Sequence, residues 1–154
     1  MSDRLTSEWT ETLDDAFGES GTKGRLGEEF LAKVFDSWGW EYELTLDSRK
    51  DQLEGRDIRF RNPKWSNFYS ADVKNNMPAN GTLYIYKNWL FKIKCDRVFH
   101  VNPETGWVTW YGVDEMREVY DTTHTNKNGD EYMTIPAKDR KQRFPFIKAS
   151  KYNG

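Results

Sequence analysis

Two aspartates and one lysine stand where their side chains need an explanation. Asp57 opens one short strand-like segment, and Asp72 lies inside the next. Aspartate is depleted in strand interiors, because it favours turns and because burying its charge costs desolvation energy. Since side chains alternate along a strand, Asp72 and Lys74 point to one face and Val73 to the other. The pattern predicts a carboxylate and an ammonium side by side on one face of a sheet.

These residue types suit hydrolysis of a phosphodiester bond. Such cleavage needs a divalent ion that polarises the phosphate and generates hydroxide from water, and carboxylate oxygens suit a hard ion such as magnesium. Asp57 and Asp72 on neighbouring strands could bring an ion to one point. Lys74 could orient or deprotonate the attacking water, or stabilise charge in the transition state. The spacing of Asp57 and the Asp-x-Lys motif is typical of a β-hairpin whose strand ends meet at one edge.

The same residues also have non-catalytic interpretations. Asp72 and Lys74 could simply pair on a strand of an unrelated α/β domain. Asp57 could be a structural cap or the partner of Arg56 or Arg59. The enzymatic interpretation requires these side chains to converge at one sheet edge, and it fails if they lie on separate surfaces with no shared cavity between them.

Hydrophobic periodicity predicts the elements that must position these residues. Residues 24–38 carry apolar side chains at helical spacing and are followed by Gly39, which favours an amphipathic helix ending there. A second helix is predicted at 113–120. Strands are predicted, in chain order, at 40–46, 57–60, 68–74, 83–86, 98–101, 107–111 and 132–135. The order indicates an α/β fold with a mixed central β-sheet flanked by helices, and no element is predicted beyond residue 135.

Residues 22–75 resemble the PD-(D/E)xK nuclease superfamily, and their motif pattern is similar to that of archaeal-type Holliday junction resolvases. In that family a glycine of the first helix is followed four residues later by a glutamate that helps to hold the metal. Gly24 and Glu28 occupy those places. The family continues with an aspartate that opens a strand and a Glu/Asp-x-Lys motif on the next, matched here by Asp57, Asp72 and Lys74.

The match departs from the family pattern in places. Arg56 stands where a proline usually precedes the first aspartate, and Asp72 replaces the commoner glutamate; both variations occur within the superfamily. Glu29 is an alternative helical ligand, although the register with the preceding glycine favours Glu28. Without a catalytic role, Glu28 would be an ordinary carboxylate on the polar helix face. Residues 82–101 are more loosely similar to a strand that follows the site in many phage nucleases of this superfamily.

The resemblance implies a restriction-endonuclease-like core and a magnesium-dependent deoxyribonuclease, with manganese as a substitute metal. Asp57, Asp72 and the Val73 carbonyl are expected to hold the metal, with Glu28 assisting directly or through water. Lys74 is expected to position the nucleophilic water. Junction-resolving, phage-repair and homing endonucleases all fit the pattern. The alternative is a non-catalytic protein that keeps the nuclease fold and binds or mimics nucleic acid.

DNA is the expected partner, although the sequence does not distinguish DNA from RNA. Basic residues that flank the proposed site in sequence could bind phosphates: Arg25, Arg49, Lys50, Arg59, Arg61 and Lys64. A homodimer or higher homo-oligomer is expected, because one site cuts one strand and paired nicks need two sites.

The charge distribution is uneven although the net charge is only −2. Residues 1–20 hold six carboxylates and one arginine, whereas residues 138–154 hold six lysines and arginines and one aspartate. We therefore expect an acidic arm at 1–20 and a single nuclease-like domain at 21–154 with a basic C-terminal tail that suits nucleic acid. A solvated surface is the simpler interpretation of such charge runs.

The remaining signals indicate an intracellular protein. The chain has no apolar run of membrane-spanning length, no signal-peptide pattern and no zinc-ligand spacing. A cytoplasmic location is expected, including the cytoplasm of a phage-infected cell. The single Cys95 is interpreted as a core residue, His100 as a structural residue in an apolar strand, and His124 as exposed.

Overall fold

The computed structural model describes residues 19–44 and 57–154, with side chains from residue 23 onward. Most of the predicted acidic arm therefore lies outside the described residues, as do Arg49, Lys50 and Arg56. None of the described helices is long and apolar enough to cross a membrane.

The described residues form four helices and nine strands. The helices are α1 (Glu19–Trp38), α2 (Lys87–Leu90), α3 (Val113–Val119) and α4 (Ala137–Arg143). The strands are β1 (Glu41–Leu44), β2 (Ile58–Arg61), β3 (Tyr69–Lys74), β4 (Leu83–Tyr86), β5 (Arg97–Asn102), β6 (Trp107–Gly112), β7 (His124–Thr125), β8 (Glu131–Ile135) and β9 (Lys148–Lys151).

Six strands form the main sheet in the order β1-β2-β3-β5-β6-β9, and three form a smaller sheet in the order β4-β8-β7. In the main sheet β3 and β5 run parallel, whereas every other neighbouring pair is antiparallel. The sheet is therefore mixed, and helices accompany it. The predicted α/β fold class is confirmed.

Helix α1 forms because its apolar residues recur on one face. Leu31, Val34 and Phe35 are almost completely buried against the main sheet, while charged residues occupy the outer face. The helix ends at Gly39, whose φ of 76° is readily adopted by glycine. Trp40 N donates to Phe35 O over 2.9 Å, which completes a Schellman-type end. The end is as predicted, but the helix begins at Glu19 instead of residue 24.

The main sheet carries a hydrophobic core on each face. The helix-side core joins α1 to β2, β3, β5 and β6, with Phe35, Phe60 and Phe99 at its centre. The second core joins the opposite face to the smaller sheet, α2 and α3, and includes Val98 and Tyr111. Residues that alternate along β3 and β5 therefore enter two different apolar layers.

The C-terminal region contains structure that periodicity did not predict. The predicted basic tail forms α4 and β9, and β9 pairs with β6 at the edge of the main sheet. Arg140 of α4 donates to Gly81 O over 2.7 Å, which attaches this helix to the turn before β4. The two-residue strand β7 also lies between the helix predicted at 113–120 and the strand predicted at 132–135, where no element was predicted. The cations at the end of the chain therefore belong to ordered elements.

Candidate active site

The β2–β3 hairpin brings the two aspartates together. Ile58 pairs with Ala71, so Asp57 and Asp72 follow as the next residues across the two strands. Asp57 N donates to Ala71 O over 2.8 Å. The Asp57 carboxylate then accepts a hydrogen bond from Val73 N, with 2.9 Å between Oδ2 and N. The Asp57 side chain therefore replaces a backbone acceptor for β3 at the point where the backbone pairing of β2 and β3 ends.

Lys74 lies beside Asp72 on the same strand face, as predicted. Its Nζ is 3.4 Å from Asp72 Oδ2 and 4.9 Å from the ring centroid of Trp89. The Lys74 side chain is 35% exposed, whereas that of Asp72 is 6% exposed. Asp72 Oδ2 accepts no hydrogen bond of ordinary geometry within the described part of the chain, although it forms the ion pair with Lys74. Lys74 therefore forms the solvent-facing rim of a buried carboxylate pair.

Burial and nearby carboxylates disfavour the ionised form of both aspartates. Burial, followed by the negative charge of Asp72, raises the pKa of Asp57 well above its usual value. Burial also raises the pKa of Asp72; Lys74 opposes this effect, and the charge of Glu28 adds to it. The positive charge of Lys74 does not balance so much buried negative charge. A proton or a metal ion would relieve the imbalance.

Glu28 lies near the aspartate pair but belongs to α1, on the helix side of the main sheet. It is buried on α1, and its charge acts on Asp72. The adjacent Gly27 allows α1 to approach the end of β3, because a Cβ atom there would lie 2.7 Å from Asn75 Cβ. Glu29, the alternative ligand, is exposed. Of the two helical glutamates, Glu28 is the one held near the pair.

A magnesium ion fits the donor set, though with few protein ligands. Within residues 19–44 and 57–154, no group of three or more His, Cys, Asp or Glu side chains has the arrangement of a metal site. The candidate donors are therefore the two carboxylates, Asp57 and Asp72, with the Val73 carbonyl in addition. Magnesium retains several waters and is commonly bound through one or two carboxylates. Buried Asp72 Oδ2 and the raised pKa values of both aspartates are consistent with such a cation.

Two of the predicted phosphate-binding residues that the structure describes, Arg59 and Arg61, are paired with carboxylates of the neighbouring strand. Arg59 forms an ion pair with Glu43 at 2.9 Å, and Arg61 forms one with Glu41, both on β1. Both guanidinium groups also lie over Phe68, 5.0 and 5.1 Å from its ring centroid. These two arginines therefore extend from β2 toward β1, which lies on the side of β2 opposite β3. Exposed Lys64 follows β2 in the chain, and half-buried Arg25 belongs to α1.

A large groove of about 1190 Å³ begins next to the site instead of containing it. It runs between α1, the end of β3 and the β5–β6 turn, and its wall includes Asn75, the residue after Lys74. Three lysines and two glutamates contribute charge to the wall: Lys23, Lys33, Lys151, Glu29 and Glu104. Asp57, Asp72 and Lys74 do not line this groove. The carboxylate pair therefore lies beside this groove and not within it.

Three nearby residues were missed by the sequence analysis. Gly27 and Asn75 connect α1 to β3, and the Asn75 amide donates to Lys23 O over 2.7 Å. Trp89 contacts Lys74 from the second layer. Of the three, only Asn75 could have been found from the sequence, because it directly follows the Asp-x-Lys motif. The contacts of Gly27 and Trp89 depend on tertiary packing.

The predictions for the histidines and the cysteine are confirmed. His100 is buried, and its Nε2 lies 2.8 Å from the Tyr111 hydroxyl. Burial lowers the pKa of His100 to about 3, so the ring remains neutral at pH 7. His124 is exposed, whereas Cys95 is buried and its pKa is raised by burial to about 12.

Comparison with known proteins gives a fold and no family. No family model matches the chain, and no curated protein matches its sequence. The chain is similar to the solved structure of a bacterial homing endonuclease, I-Ssp6803I, with a TM-score of 0.55 and 15% sequence identity. The likeness covers 85% of this chain and 88% of that chain. At this identity it shows a fold that a nuclease also has, whereas the PD-(D/E)xK motif rests on the sequence resemblance alone.

Proposed function

We propose that the protein is a metal-dependent endonuclease that hydrolyses DNA phosphodiester bonds at Asp57, Asp72 and Lys74. The observation that carries the proposal is the meeting of two buried carboxylates and a lysine at the end of the β2–β3 ladder. Likeness to a homing endonuclease over most of both chains supports a nuclease fold.

The chain's own residues supply positions and charge. Asp57, Asp72 and the Val73 carbonyl would hold magnesium or manganese, with Glu28 assisting directly or through water. When bound, the metal polarises the phosphate and lowers the pKa of an attacking water. The Val73 N–H holds the Asp57 carboxylate in place without a mobile side chain. Such fixed placement is what a ligand set needs for preorganisation.

Lys74 is proposed to act on the nucleophilic water. Its ammonium is partly open to solvent and lies 3.4 Å from the buried Asp72 carboxylate. A cation at this rim can orient water toward a phosphate and stabilise negative charge that develops in the transition state. The neighbouring His100 is neutral and hydrogen-bonded to Tyr111, so it adds no positive charge beside Lys74.

DNA is the proposed substrate, and the homing type is the first variant to test because of the structural likeness. The motif pattern of residues 22–75 keeps junction-resolving and phage-repair enzymes as alternatives. We also propose a homodimer or higher homo-oligomer, since cutting both strands of a duplex needs two sites.

One observation favours a second function, a non-catalytic nucleic-acid-binding or mimic protein with this fold. The described residues provide no three-member acidic cluster of metal-site geometry. A chain that has lost catalysis would keep the ion pair between Asp72 and Lys74 as a structural feature.

A cleavage assay separates these functions. Linear, nicked, flapped and four-way DNA are incubated with the protein in magnesium, in manganese and in EDTA. The proposal predicts metal-dependent cutting that Asp72→Ala and Lys74→Ala lower by at least about a hundredfold, the scale of one charge-stabilising group. Glu29→Gln, a change of an exposed carboxylate beside Glu28, is the control and should cut as wild type does. Binding without cutting across the panel favours the second function.

A further inference from the structure

We infer that Trp89 is a positioning residue, which holds the Lys74 ammonium beside Asp72 through its indole face. The inference rests on the proposed function for its catalytic consequence, but the contact itself belongs to the structure. Lys74 Nζ lies 4.9 Å from the Trp89 ring centroid, within the range at which a cation is attracted to an aromatic face. Among aromatic side chains, tryptophan gives the strongest attraction of this kind.

The contact joins the two layers of the fold at the site. Lys74 belongs to β3 of the main sheet, whereas Trp89 belongs to α2, which follows the smaller sheet's first strand. The indole is partly buried against the second core, so its position is set by packing. The flexible side chain of Lys74 is thereby held by the indole of another element, which its own strand does not provide.

The segment that carries Trp89 is itself fixed. Arg117 of α3 donates to Leu90 O over 3.0 Å and to Ile93 O over 2.6 Å. The Trp89 carbonyl accepts from Ile93 N over 3.1 Å, which closes the turn after α2. The indole therefore sits on a short helix whose C-terminal end is anchored to α3. Rigid support of this kind is what a positioning role requires.

Lys74 needs such a partner because its ion pair alone leaves freedom. The Nζ–Asp72 distance of 3.4 Å is longer than a close charged hydrogen bond. The long lysine side chain has many rotamers, and its ammonium is a point charge without a preferred direction. The indole face and the Asp72 carboxylate together restrict the ammonium to the gap between them.

The test compares Trp89→Leu, Trp89→Phe and the control Trp107→Leu. Leucine keeps apolar packing but removes the aromatic face, whereas phenylalanine retains a weaker one. We expect Trp89→Leu to lower kcat by about two- to tenfold with KM for DNA unchanged, and Trp89→Phe to recover part of the rate. Trp107 is exposed on β6, so its substitution should leave both constants unchanged.

A double-mutant cycle shows whether Trp89 acts through Lys74. In a Lys74→Met background, Trp89→Leu should cause no further loss of kcat, because the group that it positions is absent. An equal loss in both backgrounds would show that Trp89 acts independently of Lys74, and it would overturn the inference.

The four proteins of this cycle, which are wild type, Trp89→Leu, Lys74→Met and the double variant, also give a readout that does not depend on cutting. Their unfolding equilibria should reveal a coupling of about two- to fivefold between Lys74 and Trp89. Additive unfolding effects would overturn the contact even if the protein is a nuclease. A wild-type protein that cuts nothing, but shows the coupling, would overturn the proposed function and leave the contact standing.

Discussion

The Asp57 carboxylate accepts a hydrogen bond from the amide of Val73, with 2.9 Å between Oδ2 and N. Val73 stands between Asp72 and Lys74, so one carboxylate is fixed by the backbone of the strand that carries the other two groups. The relative positions of the two carboxylates therefore depend on the hairpin register, whereas the Lys74 ammonium also depends on its contacts with Asp72 and Trp89.

Asp57→Asn should separate charge from hydrogen bonding. The asparagine oxygen can still accept from the Val73 amide, but the buried negative charge is lost. The pKa of Asp57 is higher in the folded protein than in the unfolded chain, where it is about 4. Ionisation of Asp57 therefore lowers the stability of the folded protein as the pH rises above about 4. Without added metal, the variant should therefore be more stable than wild type at pH 7, by about 1 kcal/mol or about 2–4 °C in Tm. Thermal unfolding measures this.

Asp57→Ala is the matched comparison. It removes the charge and also leaves the buried Val73 amide without its acceptor, which costs about 1–3 kcal/mol. The alanine variant should melt below the asparagine variant. The difference between Asp57→Asn and wild type should also shrink as the pH falls toward 4, because the raised pKa of Asp57 favours its protonated form there. An asparagine variant less stable than wild type at pH 7 contradicts this account.

Gly27→Ala should loosen the contact between α1 and β3. The new Cβ would lie 2.7 Å from Asn75 Cβ and 3.3 Å from Val101 Cγ2, so the helix or the strand must shift. We expect a loss of about 1–3 kcal/mol and a reduced rate, since Glu28 moves with the helix. Denaturant unfolding gives the energy.

Gly24→Ala provides the control on the same helix, because nothing lies within 4 Å of its added Cβ. It should stabilise the protein by roughly 0.5–1 kcal/mol through helix propensity. Equal effects of Gly27→Ala and Gly24→Ala would mean that the close approach at Gly27 does not affect the free energy of unfolding.

The buried His100 should make the protein sensitive to acid. Its pKa is lowered by burial to about 3, against about 6.5 in the unfolded chain. The stability that this neutral ring contributes is complete above pH 6.5 and is lost as pH falls from 6.5 toward 3, at up to about 1.4 kcal/mol per pH unit. Unfolding midpoints between pH 7 and pH 4 measure the slope. His100→Gln should flatten it; an unchanged slope assigns the acid sensitivity to other groups.

Arg59 and Arg61 should contribute to DNA binding less than free cations would, because each is paired with a glutamate of β1. Exposed ion pairs are weak, so a phosphate can compete for these arginines. Substituting both by alanine should lower the slope of log affinity against log salt by at most about 2, at about 0.9 per phosphate contact. Glu41→Gln with Glu43→Gln should steepen the slope. Identical slopes in all three proteins would exclude this surface from the DNA contact.

Local patterns in the sequence predicted the elements around the site well. The apolar spacing of α1, the alternation in β2 and β3 and the β5–β6 hairpin are signals carried by neighbouring residues, and the structure has these elements near the predicted bounds. Asp72 was noticeable because a buried aspartate conflicts with strand preference. Its partner Asp57 followed from the spacing of a hairpin.

Features that depend on tertiary packing were not predictable in the same way. The short α4 carries mostly charged residues and has no buried member, so no apolar stripe marks it. Strand β9 is a four-residue edge strand without apolar alternation, and its pairing with β6 defines it. Likewise, the ion pairs of Arg59 and Arg61 depend on glutamates sixteen and twenty residues away. Sequence spacing alone does not reveal which cations are already paired.

Magnesium binding tests the central claim most directly, because the carboxylate pair is proposed to hold a cation. Thermal unfolding is followed with and without magnesium at constant ionic strength for wild type, Asp57→Asn, Asp72→Asn and the control Glu29→Gln. We predict that magnesium at 100 times its Kd stabilises wild type and Glu29→Gln by about 2.7 kcal/mol and leaves both asparagine variants unchanged. A wild-type Tm that does not respond to magnesium, or an equal rise in Asp57→Asn and Asp72→Asn, would contradict the account.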